Sequence, residues 1–234
     1  MPFVSTQQAT VQTRVNAFVR SVYNWMTLGL GLTGLIAYYV ANTPALINAI
    51  YGNQLVFFAL IIGELVLVAA LAARVQKMQA STATGLFLLY AGLNGLTLSF
   101  IFLIYTNTSI AQVFFICAAT FVSASLYGWI TGRDLTSLGG FLTMGLIGII
   151  IASLVNIFLK SPGVSMVVSY IGVLVFVGLT AYDTQRLKAM ALAQPDGLDA
   201  AVVRKGAILG ALTLYLDFIN LFLMLLRIFG SSRD

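Results

Sequence analysis

Apolar residues occupy seven long segments of the chain, and short polar connections separate these segments. Each segment has about 20 residues or more, the length that a helix needs to cross the hydrocarbon core of a bilayer. The seven predicted spans are residues 23–42, 54–73, 84–105, 110–131, 138–159, 165–187 and 206–229. Because only helices and closed barrels satisfy every backbone polar group in lipid, the pattern predicts an all-α polytopic membrane protein. We expect one membrane domain, a seven-transmembrane-helix bundle of residues 23–229.

The ends and connections of the chain are more polar than these spans. In residues 1–22, apolar side chains recur at helical spacing, at Val11, Val15, Phe18 and Val22. This spacing favours an interfacial helix that leads into the first span, with a frayed tail as the alternative. The longest connection precedes the seventh span, and Pro195-Asp196-Gly197 predicts a turn there. Residues 230–234 are a short tail, and a removable signal peptide is not expected.

The last predicted span carries polar residues inside an apolar sequence. At about 100° per residue, they fall together with small residues within one narrow sector of the helix. The sector contains Gly206, Gly210, Thr213, Asp217, Asn220 and Met224. Small residues permit close approach of neighbouring helices, and polar residues in a membrane face protein or water. We therefore expect this stripe to face the inside of the bundle.

Positive charges are distributed unequally between alternate connections. Nine of the 12 Lys and Arg residues lie in the amino-terminal tail and in every second connection, on one side of the membrane. The other side holds Lys160, Arg227 and Arg233. Because cytoplasmic loops are enriched in Lys and Arg, the amino terminus is predicted in the cytoplasm and the carboxyl terminus outside. The location of the basic residues in connections between the spans also explains the net charge of +5, so no nucleic acid partner is expected.

The composition excludes several kinds of site. The chain is 60% hydrophobic and 8% charged, it contains no histidine, and its single cysteine, Cys117, lies in an apolar run. Disulfides, imidazole or thiolate metal sites and Ser-His or Cys-His nucleophile pairs are therefore excluded. Cys117 is expected to be a small buried apolar side chain. No cofactor is expected.

Three carboxylates, Glu64, Asp183 and Asp217, lie inside predicted spans. A charged carboxylate at the centre of a membrane helix costs roughly 2.5–3.5 kcal/mol on insertion scales, so these groups must be protonated, paired or in contact with water. At about 1.5 Å per residue, Asp183 and Asp217 differ in depth by about 8–10 Å in straight helices, and whether they meet stays open. If they meet, the two carboxyls titrate as one unit and form a cation site when deprotonated. The alternative is a buried ion pair of Asp183 with Arg186, and Glu64 is either a protonated structural residue or part of the pathway.

Several motifs occur along the chain outside simple apolar runs. They are Val22-Tyr23-Asn24-Trp25-Met26 followed by Gly29-Leu30 and Leu32-Thr33, then Thr131-Gly132-Arg133-Asp134-Leu135, Ala181-Tyr182-Asp183-Thr184-Gln185, and Leu214-Tyr215-Leu216-Asp217-Phe218-Ile219-Asn220-Leu221-Phe222. With these motifs the chain resembles the Bax inhibitor (transmembrane Bax-inhibitor-motif) family over nearly its whole length beyond residue 20, and bacterial inner-membrane members look most similar. The resemblance implies a seven-helix fold with the last helix central, and a pH-sensitive calcium leak in which Asp183 and Asp217 form a pair. It also implies an acidic and a basic residue on the second helix that join this network, for which Glu64 and Arg74 are the candidates.

The first functional hypothesis is a leak for calcium or other cations that is controlled by protonation. Calcium takes about six to eight oxygen ligands, and Asp183 and Asp217, with Thr213, Asn220, carbonyls and waters, would supply the weak site that permeation needs. The second hypothesis is a non-conducting regulator that binds a membrane protease or another membrane protein through the amino-terminal tail or the sixth connection. The third is an intramembrane aspartyl protease, which is disfavoured because Leu214-Tyr215-Leu216-Asp217 lacks the glycines of a Gly-x-Gly-Asp motif. The chain is therefore not expected to be an enzyme.

Overall fold

The structure, a computed structural model, describes residues 2–195 and 197–233, with side chains from residue 11 onward. Its α-helices are α1 (Pro2–Ala41), α2 (Pro44–Tyr51), α3 (Gln54–Arg74), α4 (Ala80–Leu98), α5 (Ile101–Ile104), α6 (Asn107–Ile130), α7 (Thr136–Leu159), α8 (Pro162–Leu192) and α9 (Ala200–Phe229). A 3₁₀ turn, Val75–Lys77, follows α3. The residues that the structure describes contain no β-strand, which confirms the predicted all-α class.

Six helical segments of the described residues are long and apolar enough to cross a membrane. They are α3 with its 3₁₀ turn, α4 with α5, and each of α6, α7, α8 and α9. A seventh span results if α1 from Val11 onward and α2 are counted as one element. The chain bends by 100° where α1 ends and α2 begins. The predicted number of seven agrees with this larger count, and the chain is an all-α polytopic membrane protein.

The beginning of the chain forms one uninterrupted helix. Helix α1 has 40 residues, so the expected helix is present and continues directly into the first span, while its position at the membrane interface stays a prediction. The alternative of a frayed tail does not hold for the described backbone. Val15, Phe18 and Val22 are buried, as expected for apolar positions that share one helix face.

Two short helices, α2 and α5, depart from the prediction. Helix α2 begins with Pro44, whose fixed φ suits the first position of a helix, in a stretch predicted as connection. The predicted span 84–105 is interrupted between α4 and α5. The hydroxyl of Tyr51, the last residue of α2, lies at this break, 3.1 Å from Phe100 N and 2.8 Å from Thr97 O. It satisfies backbone groups that the interruption leaves without helical partners.

The connection before α9 is shorter than predicted. Helix α8 continues to Leu192, and α9 already begins at Ala200, because apolarity marks the membrane edge and not the end of a helix. Asp199 Oδ1 accepts a hydrogen bond from Ala201 N at 2.8 Å and thereby caps α9. In the predicted turn at residues 195–197, Gly197 has a φ of +78°, which glycine adopts without strain. Asp196 lies outside the described residues.

The described residues of 1–104 and 190–215 form one compact unit, unit 1. In this unit α1 packs on α4, and α3 packs on α4 and α2. Thr33 Oγ1 of α1 lies 2.8 Å from Ala91 O of α4 and 2.7 Å from Tyr215 OH of α9. The hydroxyl of Thr33 has a single proton, which it donates to a backbone carbonyl. The hydroxyl of Tyr215 is therefore the donor in the bond between Tyr215 and Thr33. The rings of Phe87 and Tyr90 pack edge-on against Tyr215.

Residues 105–189 and the described residues of 216–234 form the second compact unit, unit 2. Phe218 of α9 packs edge-on against Phe114 and Phe121 of α6, with ring centroids 5.6 and 5.4 Å apart. Cys117 is fully buried, and its thiol lies 3.7 Å from Phe218 O, which confirms the expected apolar environment. The prediction of a single membrane domain stays a prediction.

The carboxyl-terminal tail attaches to the start of α6 within unit 2. Ser231 donates its backbone N–H to Ser109 Oγ at 2.8 Å and accepts a hydrogen bond from Thr106 N at 3.1 Å. Arg233 Nη2 donates to Asn107 Oδ1 at 3.1 Å. The predicted tail at residues 230–234 is thus a bound segment up to residue 233, and Asp234 lies outside the described residues.

Helix α9 is buried on nearly all sides. Of its most apolar stretch, 67% is buried, the largest share among the six spans. Asp217 of the predicted inward stripe is buried, but Thr213 and Asn220 are only half-buried. Leu214 and Leu221, outside the stripe, are fully buried. Protein therefore covers the apolar sides of the helix as well as the aspartate of the predicted stripe.

Candidate functional site

Two buried carboxylates meet in unit 2. Asp183 of α8 and Asp217 of α9 lie within hydrogen-bonding distance of each other. Only 8% of Asp183 and 5% of Asp217 is exposed. Two negative charges at this range repel strongly in a medium of low dielectric constant, and a proton held between the carboxyls removes that repulsion. The sequence leaves open whether these side chains meet, and the structure brings them together.

The contact requires an offset between the two helices. Asp183 lies nine residues before the end of α8, and Asp217 lies 17 residues after the start of α9. At about 1.5 Å per residue, straight helices that begin and end level would separate the two by about 12 Å. Because the carboxyls nevertheless meet, α8 and α9 are tilted or displaced along their axes. The sequence estimate of a depth difference applies to straight helices, and it leaves open the tilt or displacement that the contact requires.

Few charged groups surround the pair. Helices α6 and α7 contain no Asp, Glu, Lys or Arg. On α8, Arg186 attracts Asp183 electrostatically, and its side chain is exposed; the alternative of an ion pair between the two residues stays a prediction. Lys188, two residues further along, donates from Nζ to Trp129 O at 2.7 Å. Asp217 Oδ2 is buried and accepts no hydrogen bond from an N–H or O–H donor of the described residues, which leaves the carboxyl of Asp183 as the partner of Asp217.

The loop between α6 and α7 is held against α8. Gln185 accepts a hydrogen bond from Leu135 N and donates one to Arg133 O, both at 2.8 Å. Asp134 Oδ1 accepts a hydrogen bond at 2.9 Å from the backbone N–H of Thr136, the first residue of α7. Hydrogen bonds from the side chain and the backbone of Thr136 hold the pKa of Asp134 below its usual range. Gln185, two residues after Asp183, thus connects the helix turn of the pair to this loop.

Two cavities of unit 2 contact α7 and α8 at different levels. The polar cavity, of about 370 Å³, is lined by Thr131, Gly132, Arg133, Asp134, Thr136, Tyr182, Gln185, Arg186 and Ala189. The apolar cavity, of about 240 Å³, is lined by Leu146, Ile149, Ile150, Ser153, Leu154, Ile157, Phe176, Asn220 and Met224. Asn220 is therefore a wall residue of the apolar cavity, and its Nδ2 donates to Leu216 O at 2.8 Å. Neither aspartate lines either of these two cavities.

The remaining predicted site residues belong to unit 1. Glu64 is half-buried, and its Oε1 accepts a hydrogen bond from Thr97 Oγ1 at 2.8 Å. Arg74 is exposed in the last turn of α3. Thr213 Oγ1 donates to Leu209 O of its own helix at 3.2 Å. The network that would join Glu64 and Arg74 to the aspartates stays a prediction.

The pair itself offers two carboxyls as ligating groups. In the part of the chain that the structure describes, no group of three or more His, Cys, Asp and Glu side chains is placed to hold a metal ion. Two carboxylates alone supply fewer oxygens than the roughly six to eight that calcium takes, so waters and carbonyls would complete the shell. Two interacting carboxyls of this kind titrate as one unit.

Sequence reasoning missed three groups that position the site and the helices. Gln185, which bonds the loop between α6 and α7, is the last residue of the Asp183 motif, and its position within that motif is the one signal that points to it. The hydroxyls of Tyr51 and Tyr215 bond partners that lie far away in sequence. Nothing in the local apolar pattern identifies such partners.

Comparison with known proteins agrees with the motifs at these positions. The family described as "Inhibitor of apoptosis-promoting Bax1" matches residues 15–234. The inner membrane protein YbhL of Escherichia coli K12 is 54% identical over 219 residues, which cover 94% of this chain and 93% of that protein. An uncharacterized protein of Rickettsia prowazekii is 45% identical over 236 residues, with 98% and 96% of the two chains covered. Another of Borreliella burgdorferi is 44% identical over 219 residues, with 94% of each chain covered. The chain therefore belongs to the Bax inhibitor family of membrane proteins.

Proposed function

We propose that this protein is a pH-sensitive leak for calcium and other cations, in which Asp183 and Asp217 form the site that senses protons. The observation that carries the proposal is the contact of two carboxyls that are 8% and 5% exposed. A membrane helix does not retain such groups without compensation, since each charged carboxylate costs several kcal/mol. The family resemblance implies the same pair.

Protonation is the switch in this proposal. With one proton between the carboxyls, the pair carries one negative charge, and a second proton makes it neutral. Loss of the shared proton leaves two negative charges in contact, which attract a cation or push α8 and α9 apart. Since α6 and α7 bring no charge to the pair, Arg186 is the cation whose attraction acts on it from α8. Ion passage is thereby coupled to pH through two side chains.

Calcium is the proposed permeant ion, and the site is proposed to be weak. Oxygen ligands suit a hard cation, and the carboxylates would share it with carbonyls and waters. Weak binding favours passage, because an ion that binds tightly does not leave. No resident cofactor is part of the proposal.

We propose the bacterial inner membrane as the location, because the relative in Escherichia coli is named an inner membrane protein. The excess of Lys and Arg in alternate connections supports a cytoplasmic amino terminus and an external carboxyl terminus. Alkaline phosphatase fused after residue 234 is active only outside the cytoplasm, so an active fusion is expected. An inactive fusion, together with an active fusion after residue 133 in the connection predicted to be cytoplasmic, would reverse the orientation.

The leak is tested by calcium uptake into proteoliposomes over a range of pH. Asp183→Asn and Asp217→Asn are each expected to lower uptake by about tenfold or more, the effect of roughly 1.4 kcal/mol of lost cation attraction. Asp199→Asn, the same change at an exposed cap of α9, is the matched control and is expected to conduct like the wild type. Uptake that is unchanged in both pair variants rejects the leak.

A second candidate function is a regulator that binds another membrane protein, such as a membrane protease. It is favoured by a polar groove of about 610 Å³ along α1, which is lined by Thr13, Asn16, Ala17, Arg20, Ser21, Asn24, Trp25 and Leu28. Arg204 lies over the Trp25 ring at 5.4 Å and fixes one end of this surface. If Asn16→Ala and Arg20→Ala abolish a cellular phenotype that Asp183→Asn and Asp217→Asn leave intact, the protein acts as a regulator and the leak hypothesis is rejected.

The proposal includes no enzymatic activity. A protease with two aspartates needs room for a substrate strand beside them, and neither aspartate lines the two cavities of unit 2. A transition-state-analogue probe of aspartyl proteases is therefore expected to leave the purified protein unlabelled. Labelling that depends on Asp217 would instead make the protein a protease.

A further inference from the structure

The outer face of α1 changes from polar to apolar along the helix. Asn16, Arg20 and Asn24 are exposed at intervals of four residues and line the polar groove of about 610 Å³ described above. Trp25 lines the same groove, and after it comes Leu28, of which 57% is exposed. An aromatic ring between polar and exposed aliphatic residues is typical of the boundary between lipid headgroups and hydrocarbon. The groove therefore lies at the level of the headgroups.

The rise of the helix agrees with this level. Arg20 precedes Trp25 by five residues, or about 7.5 Å along the axis of α1. The headgroup layer on each side of a bilayer is about 5–7 Å thick. Arg20 therefore reaches the lipid phosphates when the ring of Trp25 lies at the hydrocarbon boundary.

Helix α9 brings a second arginine to the groove within unit 1. Phe18 of α1 faces Gly206 of α9, where an added Cβ would be 3.4 Å from Phe18 Cε2. Arg204 lies two residues before Gly206, and its guanidinium carbon is 5.4 Å from the centre of the Trp25 ring. Two guanidinium groups thus border the groove, one from each helix.

The positive charge of the groove is not balanced by a carboxylate. Unit 1 contains six Lys and Arg residues, and its acidic residues within the described part of the chain are Glu64 and Asp199. Neither of these two lines the groove. Arg20 is exposed, and it forms no hydrogen bond or ion pair with another described residue. Its guanidinium is therefore available to an anion from outside the protein.

The side chains of the groove suit a phosphodiester. A guanidinium binds phosphate oxygens through paired hydrogen bonds. Gln12 Nε2 donates to Asn16 Oδ1 at 3.0 Å, so the amide nitrogen of Asn16 remains a donor for an anion. The volume of the groove falls within the roughly 300–1,000 Å³ of small-molecule sites. Leu28 continues its lining toward the hydrocarbon, where the acyl chains of a lipid lie.

We propose that this groove binds the headgroup of an anionic phospholipid, with Arg20 and Arg204 attracting the phosphate and the acyl chains passing Trp25 and Leu28. A zwitterionic lipid has the same phosphate but adds a cationic amine, which the two arginines repel. The site therefore favours lipids of net negative charge. A membrane protein, the other occupant considered for this groove, is an outcome of the test.

The fluorescence of Trp25 reports the occupant directly. Trp129→Phe leaves Trp25 as the only tryptophan of the chain. This variant is placed in phosphatidylcholine vesicles that contain either phosphatidylglycerol or phosphatidylcholine with brominated acyl chains, which quench a neighbouring tryptophan. Brominated phosphatidylglycerol is expected to bind beside Trp25 about 25-fold more strongly, since each of two basic residues at a membrane surface contributes about a factor of five. Soluble glycerol phosphate is expected not to displace it.

Substitutions on the same background separate the groove from diffuse surface charge. Arg20→Gln and Arg204→Gln are each expected to lower the preference about fivefold, and Arg20→Lys, which keeps the charge, is expected to lower it less. Lys77→Gln is the matched control, because it removes an exposed positive charge of unit 1 outside the groove, and it is expected to retain the preference. If Trp129→Phe does not fold, native mass spectrometry of the wild-type chain with both lipids at equal concentration reports the same preference.

Equal quenching by the two brominated lipids overturns the lipid site. A loss in Lys77→Gln as large as that in Arg20→Gln also overturns it, because diffuse charge then explains the preference. Displacement by glycerol phosphate makes the groove a site for a soluble phosphate and not for a lipid. If the preference is absent and Arg20→Ala abolishes the cellular phenotype, the groove is a surface for a protein partner. Calcium uptake plays no part in these measurements, so the lipid site and the leak fail separately.

Discussion

Gly128 is the position where one methyl group is expected to have the largest effect on unit 2. It lies in α6 against the backbone of α8, and an added Cβ would collide with the carbonyl oxygen of Ala181, at 2.8 Å from its carbonyl carbon and 3.0 Å from its Cα. A flexible side chain could move away, but a helix backbone cannot move alone. Gly128→Ala therefore forces α6 and α8 apart, two residues before Asp183.

The magnitude follows from two opposing terms. Overpacking of a tight contact costs about 1–3 kcal/mol, and replacement of glycine by alanine inside a helix returns up to about 1 kcal/mol. We expect a net loss of about 1–2 kcal/mol of unfolding free energy for Gly128→Ala. For a chain of this length, each kcal/mol corresponds to about 2–4 °C in melting temperature.

Gly148→Ala is the matched control, because no atom lies within 4 Å of a Cβ added there. It lies on the exposed face of α7, so only the gain in helix propensity remains, and its melting temperature is expected to equal or exceed that of the wild type. The assay is thermal unfolding of both purified variants in the same detergent. A melting temperature of Gly128→Ala at or above that of Gly148→Ala would refute the close contact of α6 with α8.

Further predictions concern single hydrogen bonds and one carboxylate. Tyr51→Phe leaves backbone groups at the break between α4 and α5 without a partner, so chemical denaturation is expected to show a loss of about 1–3 kcal/mol, and unchanged stability contradicts the capping role. Tyr215→Phe keeps the ring contacts but loses the hydrogen bond to Thr33, so it is expected to lower the free energy of unfolding by about 0.5–1.5 kcal/mol. A melting temperature equal to that of the wild type would contradict this prediction. Gln185→Met frees Leu135 N, whose hydrogen exchange is expected to become about tenfold faster, and unchanged exchange contradicts this hydrogen bond. Hydrogen bonds to Thr136 lower the pKa of Asp134 in the folded state. The ionised carboxylate therefore stabilises the protein above the ordinary carboxyl pKa of about 3.9, and this stabilisation is lost as the pH falls through the folded pKa. Asp134→Asn is expected to remove that part of the acid dependence of stability.

The spans were predictable because membrane helices must be apolar over a fixed length. Helix α3 begins at Gln54, α6 ends at Ile130 and α7 ends at Leu159, all within one residue of the predicted boundaries. Helix α2 and the break before α5 were not predictable, because the hydroxyl of Tyr51 that stabilises the break lies 46 residues from Thr97. The apolar pattern of a segment does not identify a hydrogen-bond partner that lies so far away in the sequence.

The candidate site was predictable in its residues but not in its geometry. An aspartate inside an apolar segment is costly wherever the helix lies, so Asp183 and Asp217 are recognisable from sequence. Their contact depends on the tilt and displacement of α8 against α9, which a pattern along one helix does not contain. The half-burial of Asn220, beside an apolar cavity, has the same origin. The packing of neighbouring helices determines how much of this side chain is buried.

The full burial of Cys117 has a practical value for spectroscopy of this protein. Its thiol is the single one of the chain, it is 0% exposed, and it faces the carbonyl of Phe218 inside unit 2. Maleimide and spin-label reagents react with accessible thiolates, so the native chain offers them almost no background. A cysteine introduced at any exposed position would carry the label alone, and pairs of such positions on α7 and α8 would report the distance between the two helices at different pH values without prior removal of the native thiol.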